Sequence, residues 1–380
     1  MRSLFNFFSS LKLTVACLVF GCVIVFWGTI AQVHLGLYQA QNDFFRSFFV
    51  FWQPSGAGFS VPIFPGGYLI GAVLLINLFV AHFRYYQPGK RKIGILLIHL
   101  GIVLLLLGQM LTDFLAVESS LHLRIGETKN YTEAGRAFEL AVVDTTDPDS
   151  DKVVAIPCRV LLRRGEVSTS EMPFTVRVKA FYANSLLAQQ SQPGYAPLKT
   201  TAGFGSGFWW REAPRETGMN RIDVPSAIIE VVTNGTSLGT FLVSGWVDEP
   251  QSFTSNHRTC QLRLRPERQY LPFSLRLVEF RHDKYPGTDI PKNFSSRVRL
   301  RNLANGEDRE ALIYMNNPLR YAGQTFYQAS FDADDQGSVL QVVHNPGWLT
   351  PYFSCVLVSA GLVIQFLSHL IPFLKRRVPL

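Results

Sequence analysis

One histidine lies in a segment that otherwise contains only Ile, Leu, Val and Gly. The segment reads ILLIHLGIVLLLLG over residues 95–108, and the histidine is His99. Transfer of imidazole into hydrocarbon is unfavourable, so a histidine in such a segment needs a polar partner or has a function. Two roles suit its chemistry: a hydrogen bond to a neighbouring helix, or coordination of a metal centre by the neutral ring.

Three further histidines lie at the ends of apolar segments. His82 and His369 are close to basic residues, and His344 begins the sequence HNPGW. His82 and His369 could extend toward the membrane interface, or they could help to receive the ligand of His99. His344 could contact the same ligand, although the sequence HNPG also suits a turn or a helix cap.

The five cysteines form no recognisable ligand set. Cys17, Cys22 and Cys355 lie in apolar segments, where cysteine usually packs as a small apolar side chain. Cys158 and Cys260 lie in a more polar region and could form one disulfide in an oxidising compartment. The sequence contains neither C-x-x-C nor C-x-x-C-H, which excludes a thioredoxin-like reductant and a c-type cytochrome.

Four uncharged runs are long enough to cross about 30 Å of hydrocarbon. They cover residues 13–31, 66–83, 93–112 and 348–374 of a 380-residue chain that is 47% hydrophobic and 17% charged. No small-residue cleavage site follows the first run, so we expect it to remain as an anchor. The predicted fold class is an α+β membrane protein with four transmembrane helices and a large extracytoplasmic, mostly β domain between the third and the fourth.

The region between the third and fourth runs has the composition of strands and turns. Short runs rich in β-branched residues alternate with Gly, Pro, Asp and Asn, which predicts a sandwich or an open barrel. We therefore predict a membrane domain at 1–115, a β-rich domain at 116–347, and a fourth helix with a basic tail at 348–380. Residues 189–217 read as an insertion loop, and Trp209 and Trp210 within it suggest an interface or membrane-surface anchor.

The distribution of basic residues predicts the orientation in the membrane. Of 36 Lys and Arg, 26 lie between Ala116 and Trp348 together with 26 of the 28 Asp and Glu, so that region is neutral overall. Nine others flank the predicted helices on one side, which the positive-inside rule makes the cytoplasm: Arg2, Lys12, Arg84, Lys90, Arg91, Lys92, Lys375, Arg376 and Arg377. The net charge of +8 thus reflects topology rather than nucleic-acid binding, and both termini are predicted to be cytoplasmic.

An aromatic segment follows the first predicted helix on the other side of the membrane. Residues 42–52 read NDFFRSFFVFW and place their aromatic residues at helical spacing. This pattern predicts a short external helix at the membrane interface, and packing of the same side chains against the other helices is the alternative.

Several long motifs are typical of one protein family. The stretches SSLKLTVACLVFGCVIVFWGTIAQ at 9–32, LPFSLRLVEFRHDKYPGTDIPKNFSSRVRL at 271–300 and MNNPLRYAGQTFYQASF at 315–331 resemble ResB (CcsB) proteins of System II cytochrome c biogenesis. HNPGW, before the last predicted helix, fits the same pattern, as does the layout of three helices, a large domain and one helix. The resemblance covers nearly the whole chain and is weakest at 189–217.

The resemblance implies a function that composition alone does not. ResB proteins work with a ResC (CcsA) partner to carry haem b across the plasma membrane and to present it for covalent attachment to apocytochrome c outside. A histidine in the third helix, paired with one from the partner, ligates haem within the membrane, and His99 falls at that position. The family also implies a thiol-reducing, thioredoxin-like protein as a further partner.

The expected role is that of a subunit in this haem pathway, and a scaffold and a hydrolase are two other classes of function. We expect a non-catalytic subunit of a haem transport and haem lyase complex, because the partner family's Trp-rich motif does not follow the last predicted helix. A membrane-anchored extracytoplasmic scaffold for cytochrome or respiratory complexes, which does not bind haem, is the alternative. A hydrolase finds little support, since H-E-x-x-H does not occur and no convincing pairing of Cys and His is present.

Overall fold

The computed structural model describes residues 2–54, 58–85, 92–218, 221–288 and 291–377. Lys90 and Arg91, two of the predicted cytoplasmic basic residues, lie outside these ranges. The chain divides into two compact units. The membrane unit comprises Met1–Val117, Thr217–Met219 and His344–Leu380, and the β-rich unit comprises Glu118–Glu216 and Asn220–Val343.

The described helices differ greatly in length. They are α1 (Arg2–Phe8), α2 (Leu11–Leu35), α3 (Leu37–Ala40), α4 (Gly67–Tyr85), α5 (Ile93–Leu115), α6 (Cys158–Leu161) and α7 (Thr350–Arg377). Within the described residues, α2, α4, α5 and α7 are long and apolar enough to cross a membrane. Since the β-rich unit lies between α5 and α7 in the chain, the predicted α+β fold class is confirmed.

The aromatic segment after α2 is not the helix that its spacing predicts. A π-helical turn covers Gln41–Phe45, and the chain then becomes strand β1 (Phe49–Trp52), which pairs antiparallel with β2 (Val61–Pro65). The helical prediction for 42–52 is therefore wrong for its second half, where antiparallel pairing with the next strand overrides the local pattern. Phe44 is buried against Trp27 of α2, so part of the segment packs on the helices instead.

The β-rich unit contains the remaining described strands. They are β3 (Val117–Arg124), β4 (Thr128–Asp144), β5 (Lys152–Pro157), β6 (Glu166–Val167), β7 (Thr175–Tyr182), β8 (Ser185–Ala188), β9 (Ala196–Pro197), β10 (Trp209–Glu212), β11 (Ser226–Thr233), β12 (Thr236–Ser244), β13 (Gln251–Ser255), β14 (Arg258–Lys284), β15 (Pro291–Asn302), β16 (Glu307–Tyr314), β17 (Leu319–Tyr321), β18 (Gln324–Phe331) and β19 (Gly337–His344).

The long strand β14 connects two hydrophobic cores. The main sheet has the order β16-β15-β14-β4-β3-β19-β18-β17, with β5 and β13 paired beside β4 and β14. Early in β14, Leu262 and Leu264 enter a core shared with the smaller sheet β12-β11-β7-β6. Later in β14, Leu275 and Leu277 enter a second core with β3, β15, β16 and β17 to β19. The first core thus lies between two sheets, as in the sandwich that is one of the two predicted architectures.

An ion pair is buried where β4 and β14 pair in the first half of β14. Arg265 Nε lies 3.0 Å from Glu139 Oε1, and both side chains are less than a tenth exposed. The two residues are direct neighbours across the strands. Removal of water from both charges is costly, and their mutual hydrogen bonding offsets that cost only while both are present.

The insertion at 189–217 is built on a small sheet rather than an open loop. Strands β8, β10 and β9 form that sheet, and Trp210 in β10 is 5% exposed and packs on Tyr182 with ring centres 4.3 Å apart. The prediction that Trp209 and Trp210 anchor a surface is therefore wrong for Trp210, which belongs to a local hydrophobic core.

Candidate functional site

The orientation of the His99 ring is fixed by its own helix. His99 lies in the second turn of α5, and its Nδ1 is 2.7 Å from the carbonyl oxygen of Ile95 one turn earlier. A carbonyl oxygen can only accept a hydrogen bond, so Nδ1 carries the proton. The lone pair is therefore on Nε2, which is the arrangement of a histidine that coordinates a metal through Nε2 and donates through Nδ1.

His99 lines a cavity of about 500 Å³ inside the membrane unit. This volume lies within the range of roughly 300–1,000 Å³ that is usual for sites that bury small-molecule ligands. The lining residues are Ser9, Leu11, Thr14, Asn77, Leu78, Ala81, His82, Tyr85, Lys92, Ile95, Leu96 and His99. On both α4 and α5 they follow the spacing of a single helix face, so the cavity is a feature of how these helices pack.

His82 is the second imidazole of this cavity. Its ring centre lies 6.1 Å from that of His99, and the two ring planes are inclined by 42°. Tyr85 ends α4 and Lys92 precedes α5, so a phenol and an ammonium group also line the cavity, both at the end of the helices where α4 leads into α5. The arrangement can coordinate a metal centre through imidazole and can attract an anionic group through Lys92.

A buried amide holds the wall of the cavity opposite α5. Asn77 of α4 is 1% exposed, accepts a hydrogen bond of 2.6 Å from the Thr14 hydroxyl, and donates to the carbonyl oxygens of Phe8 (2.6 Å) and Ser10 (3.1 Å). These bonds connect α4 to the end of α1 and the start of α2. Asn77 is not among the site residues predicted from the sequence, although an amide in the apolar run LLINLFVAHF indicates a polar role.

The opposite side of α5 is a glycine face that packs on α7. A Cβ atom at Gly94 would lie 2.7 Å from the backbone nitrogen of Gln365, and one at Gly101 would lie 2.6 Å from Cγ2 of Val358. Gly108 approaches Thr350 equally closely. Spacing of seven residues places the three glycines on one face, and small residues there let the helix backbones approach. The glycine face thus contacts a helix, and His99 points to the other side.

The structure does not bring the other two candidate histidines into this cavity. His369 is exposed on α7, and its Nε2 accepts a 2.8 Å hydrogen bond from the side-chain amide of Gln365. His344 ends β19 and precedes a turn in which the Asn345 side chain accepts a hydrogen bond of 2.9 Å from Gly347 N. Neither residue is among those that line the cavity. The turn geometry agrees with the structural interpretation of HNPG.

A second polar cluster lies at the other end of α4 and α5. Asp113 of α5 accepts a hydrogen bond from the Tyr68 hydroxyl and forms an ion pair of 2.8 Å with Arg46. The Asp113 side chain is 9% exposed, so its charge needs these partners. The three residues lie at positions 46, 68 and 113, so their proximity cannot be predicted from local sequence patterns.

The predicted disulfide between Cys158 and Cys260 is not formed, and both are free thiols. Cys158 directly follows β5, and Cys260 lies in β14, on opposite sides of β4. Because neighbouring strands lie about 4.8 Å apart and a disulfide needs Cα atoms about 4.4–6.8 Å apart, a strand between them prevents the bond. Burial, helped by the Glu139 and Glu267 carboxylates, raises the pKa of the Cys158 thiol to about 12.

Comparison with known proteins supports the resemblance to the ResB family that the sequence motifs indicate. Residues 231–339 match the model of the ResB-like family. The chain is also 25% identical over 302 residues to Protein NrfI of Wolinella succinogenes, an alignment that covers 79% of this chain and 30% of NrfI. Both matches support the resemblance of the chain to the ResB-like family.

The family match covers a limited part of the chain. The family match runs from the end of β11 into β19 and therefore includes most of the second core. The cavity with His99 lies outside the matched residues 231–339. The chain spans about a third of the length of NrfI.

Proposed function

We propose that this protein takes part in cytochrome c biogenesis by binding haem b in the membrane and passing it, with a ResC-type partner, toward apocytochrome c outside. The match to the ResB-like family and the similarity to NrfI support the biogenesis role. The observation that carries the haem part is the state of His99. Its Nδ1 donates to the Ile95 carbonyl, which leaves Nε2 as a ligand in a largely apolar cavity.

The chemistry of the cavity suits a porphyrin better than a free metal ion. Porphyrin iron already has four nitrogen ligands, so a protein needs to supply only one or two imidazoles. Leu78, Ala81, Ile95 and Leu96 offer apolar contacts for the ring, and Lys92 offers a positive charge for the propionates. Haem is the transported substrate in this proposal and is held only until it is passed on.

The predicted membrane orientation gives the transport a direction. His99 lies seven residues after Lys92, or about 10 Å along α5, and the basic residues at this end favour the cytoplasmic side. Haem would then enter at the inner leaflet, while the β-rich unit would face the extracytoplasmic side, where apocytochrome c and a thiol-reducing thioredoxin-like protein would act. Both termini would be cytoplasmic.

Cytochrome c production in cells tests this proposal. Cells that lack their own copy of the protein are supplied with the wild type, with His99→Ala or with His369→Ala, and covalently bound haem on c-type cytochromes is stained after electrophoresis. We expect loss of staining with His99→Ala only, because His369 lies outside the cavity. Normal staining with His99→Ala, at equal amounts of membrane-inserted protein, would favour the scaffold that does not bind haem.

A further inference from the structure

The spacing of the two cavity imidazoles matches that of a pair on one haem iron. An imidazole nitrogen lies about 1.1 Å from its ring centre and about 2.0 Å from a bound metal, so two imidazoles on opposite sides of one iron have centres about 6.2 Å apart. The ring centres of His82 and His99 are 6.1 Å apart. The 42° inclination of the rings presents no obstacle, because each imidazole can rotate about its own iron–nitrogen bond.

The helices that carry the two rings set this spacing. His82 lies on the cavity face of α4 together with Leu78 and Ala81, and His99 lies on the cavity face of α5 together with Ile95 and Leu96. Leu78, Ile95 and Leu96 lie about one turn before the histidines, so they line the cavity beside the imidazoles. Two imidazoles separated by the thickness of a planar ring and flanked by apolar side chains form a slot for a porphyrin.

The outer contacts of the slot hold both helices in place. Asn77, which also lines the cavity on α4, is fixed by three hydrogen bonds to the α1–α2 region. On the far side of α5, Gly94 and Gly101 pack directly on α7. A slot supported on both sides keeps its imidazole spacing without help from another chain.

We propose that His82 supplies the second axial ligand to haem bound at His99, so that this chain alone holds haem with two imidazoles. This inference rests on the proposed haem-binding function. It adds a second ligand from the same chain, whereas the resemblance implies a second ligand only from the partner. Binding forms two iron–nitrogen coordinate bonds in place of water or other weak ligands and changes no oxidation state. In the complex, the partner's ligand would then replace His82, which passes haem onward by ligand exchange.

Haem titration of the isolated full-length chain tests the inference. The protein is purified in detergent without a partner, ferric haem is added, and visible absorption and electron paramagnetic resonance spectra are recorded. The wild type is expected to give the low-spin spectrum of a bis-imidazole haem. His82→Ala is expected to retain haem on His99 but to become high-spin, and added imidazole is expected to restore the low-spin spectrum.

Three further variants make every outcome informative. His82→Gln keeps a polar side chain of similar size and should also be high-spin, and His369→Ala should match the wild type. Low-spin spectra in both His82 variants, or a high-spin spectrum of the wild type, would overturn the inference about His82. The proposed haem-binding function would still stand if His99→Ala loses haem. Unchanged binding in His99→Ala would overturn both. Size-exclusion profiles and far-ultraviolet circular dichroism identify any variant that has not folded.

Discussion

A single methyl group added to the glycine face of α5 should destabilise the membrane unit. At Gly101 a new Cβ atom would lie 2.6 Å from Cγ2 of Val358 and 3.0 Å from the backbone oxygen of Ser354, both closer than ordinary van der Waals contact. Overpacking of this kind costs about 1–3 kcal/mol. At Gly71 of α4 no atom lies within 4 Å of the corresponding position, so the same substitution meets open space.

The two alanine variants therefore form a matched pair. Both gain about 1 kcal/mol from the higher helix propensity of alanine, so the difference between them isolates the packing cost. We expect Gly71→Ala to raise the thermal unfolding midpoint of the purified full-length protein in detergent. The midpoint of Gly101→Ala should be lower than that of Gly71→Ala, by an amount that corresponds to about 1–3 kcal/mol of unfolding free energy. A Gly101→Ala protein as stable as Gly71→Ala would refute the close packing of α5 on α7.

Three other predictions follow from buried polar groups. Arg265→Met should lower the free energy of unfolding by about 3–5 kcal/mol in denaturant titrations, and the double change with Glu139→Met should recover most of it, because only the single variant leaves an unpaired buried charge. Alkylation of Cys158 at pH 8 should be about 1,000-fold slower in the folded than in the unfolded protein by mass spectrometry, because a pKa of about 12 instead of 9.0 leaves that much less thiolate. Asn77→Leu should make the α1–α2 region easier to cleave by protease at equal expression, as it removes three hydrogen bonds.

The sequence predicts those features that depend on long, uniform stretches of chain. The spanning helices follow from apolar runs such as 93–112, since their length and lack of charge are local properties. The predicted ends differ only by a few residues, as α2 covers Leu11–Leu35 where 13–31 was expected. The placement of His99 in a helix and of the strands in the second half of the chain follows from the same kind of local pattern.

Features that depend on distant contacts are not readable from one sequence. The aromatic spacing at 42–52 favours a helix, but strand pairing with Val61–Pro65 decides its second half. From the sequence Trp210 resembles a surface anchor, whereas in the structure Tyr182 packs against its ring. The pairing of two cysteines in space likewise depends on strand order.

The candidate site can be predicted from the sequence only in part. His99 is selected by its apolar surroundings alone, and His82 is noticed because it precedes the basic connection between two apolar runs. Consecutive spanning helices with a short connection must be antiparallel, so both histidines are expected near the same side of the membrane. Their common cavity and the 6.1 Å between their ring centres become apparent only when the helices are packed.

The most direct test of the central proposal is the visible absorption spectrum of the protein purified with its ResC-type partner. Wild type is compared with His99→Gly, with and without added imidazole, and His369→Gly serves as the matched control. We predict a low-spin Soret band that is lost in His99→Gly and restored by imidazole. An unchanged spectrum in an assembled His99→Gly complex would contradict it, and His99 would then be a helix-packing residue without a role in haem binding.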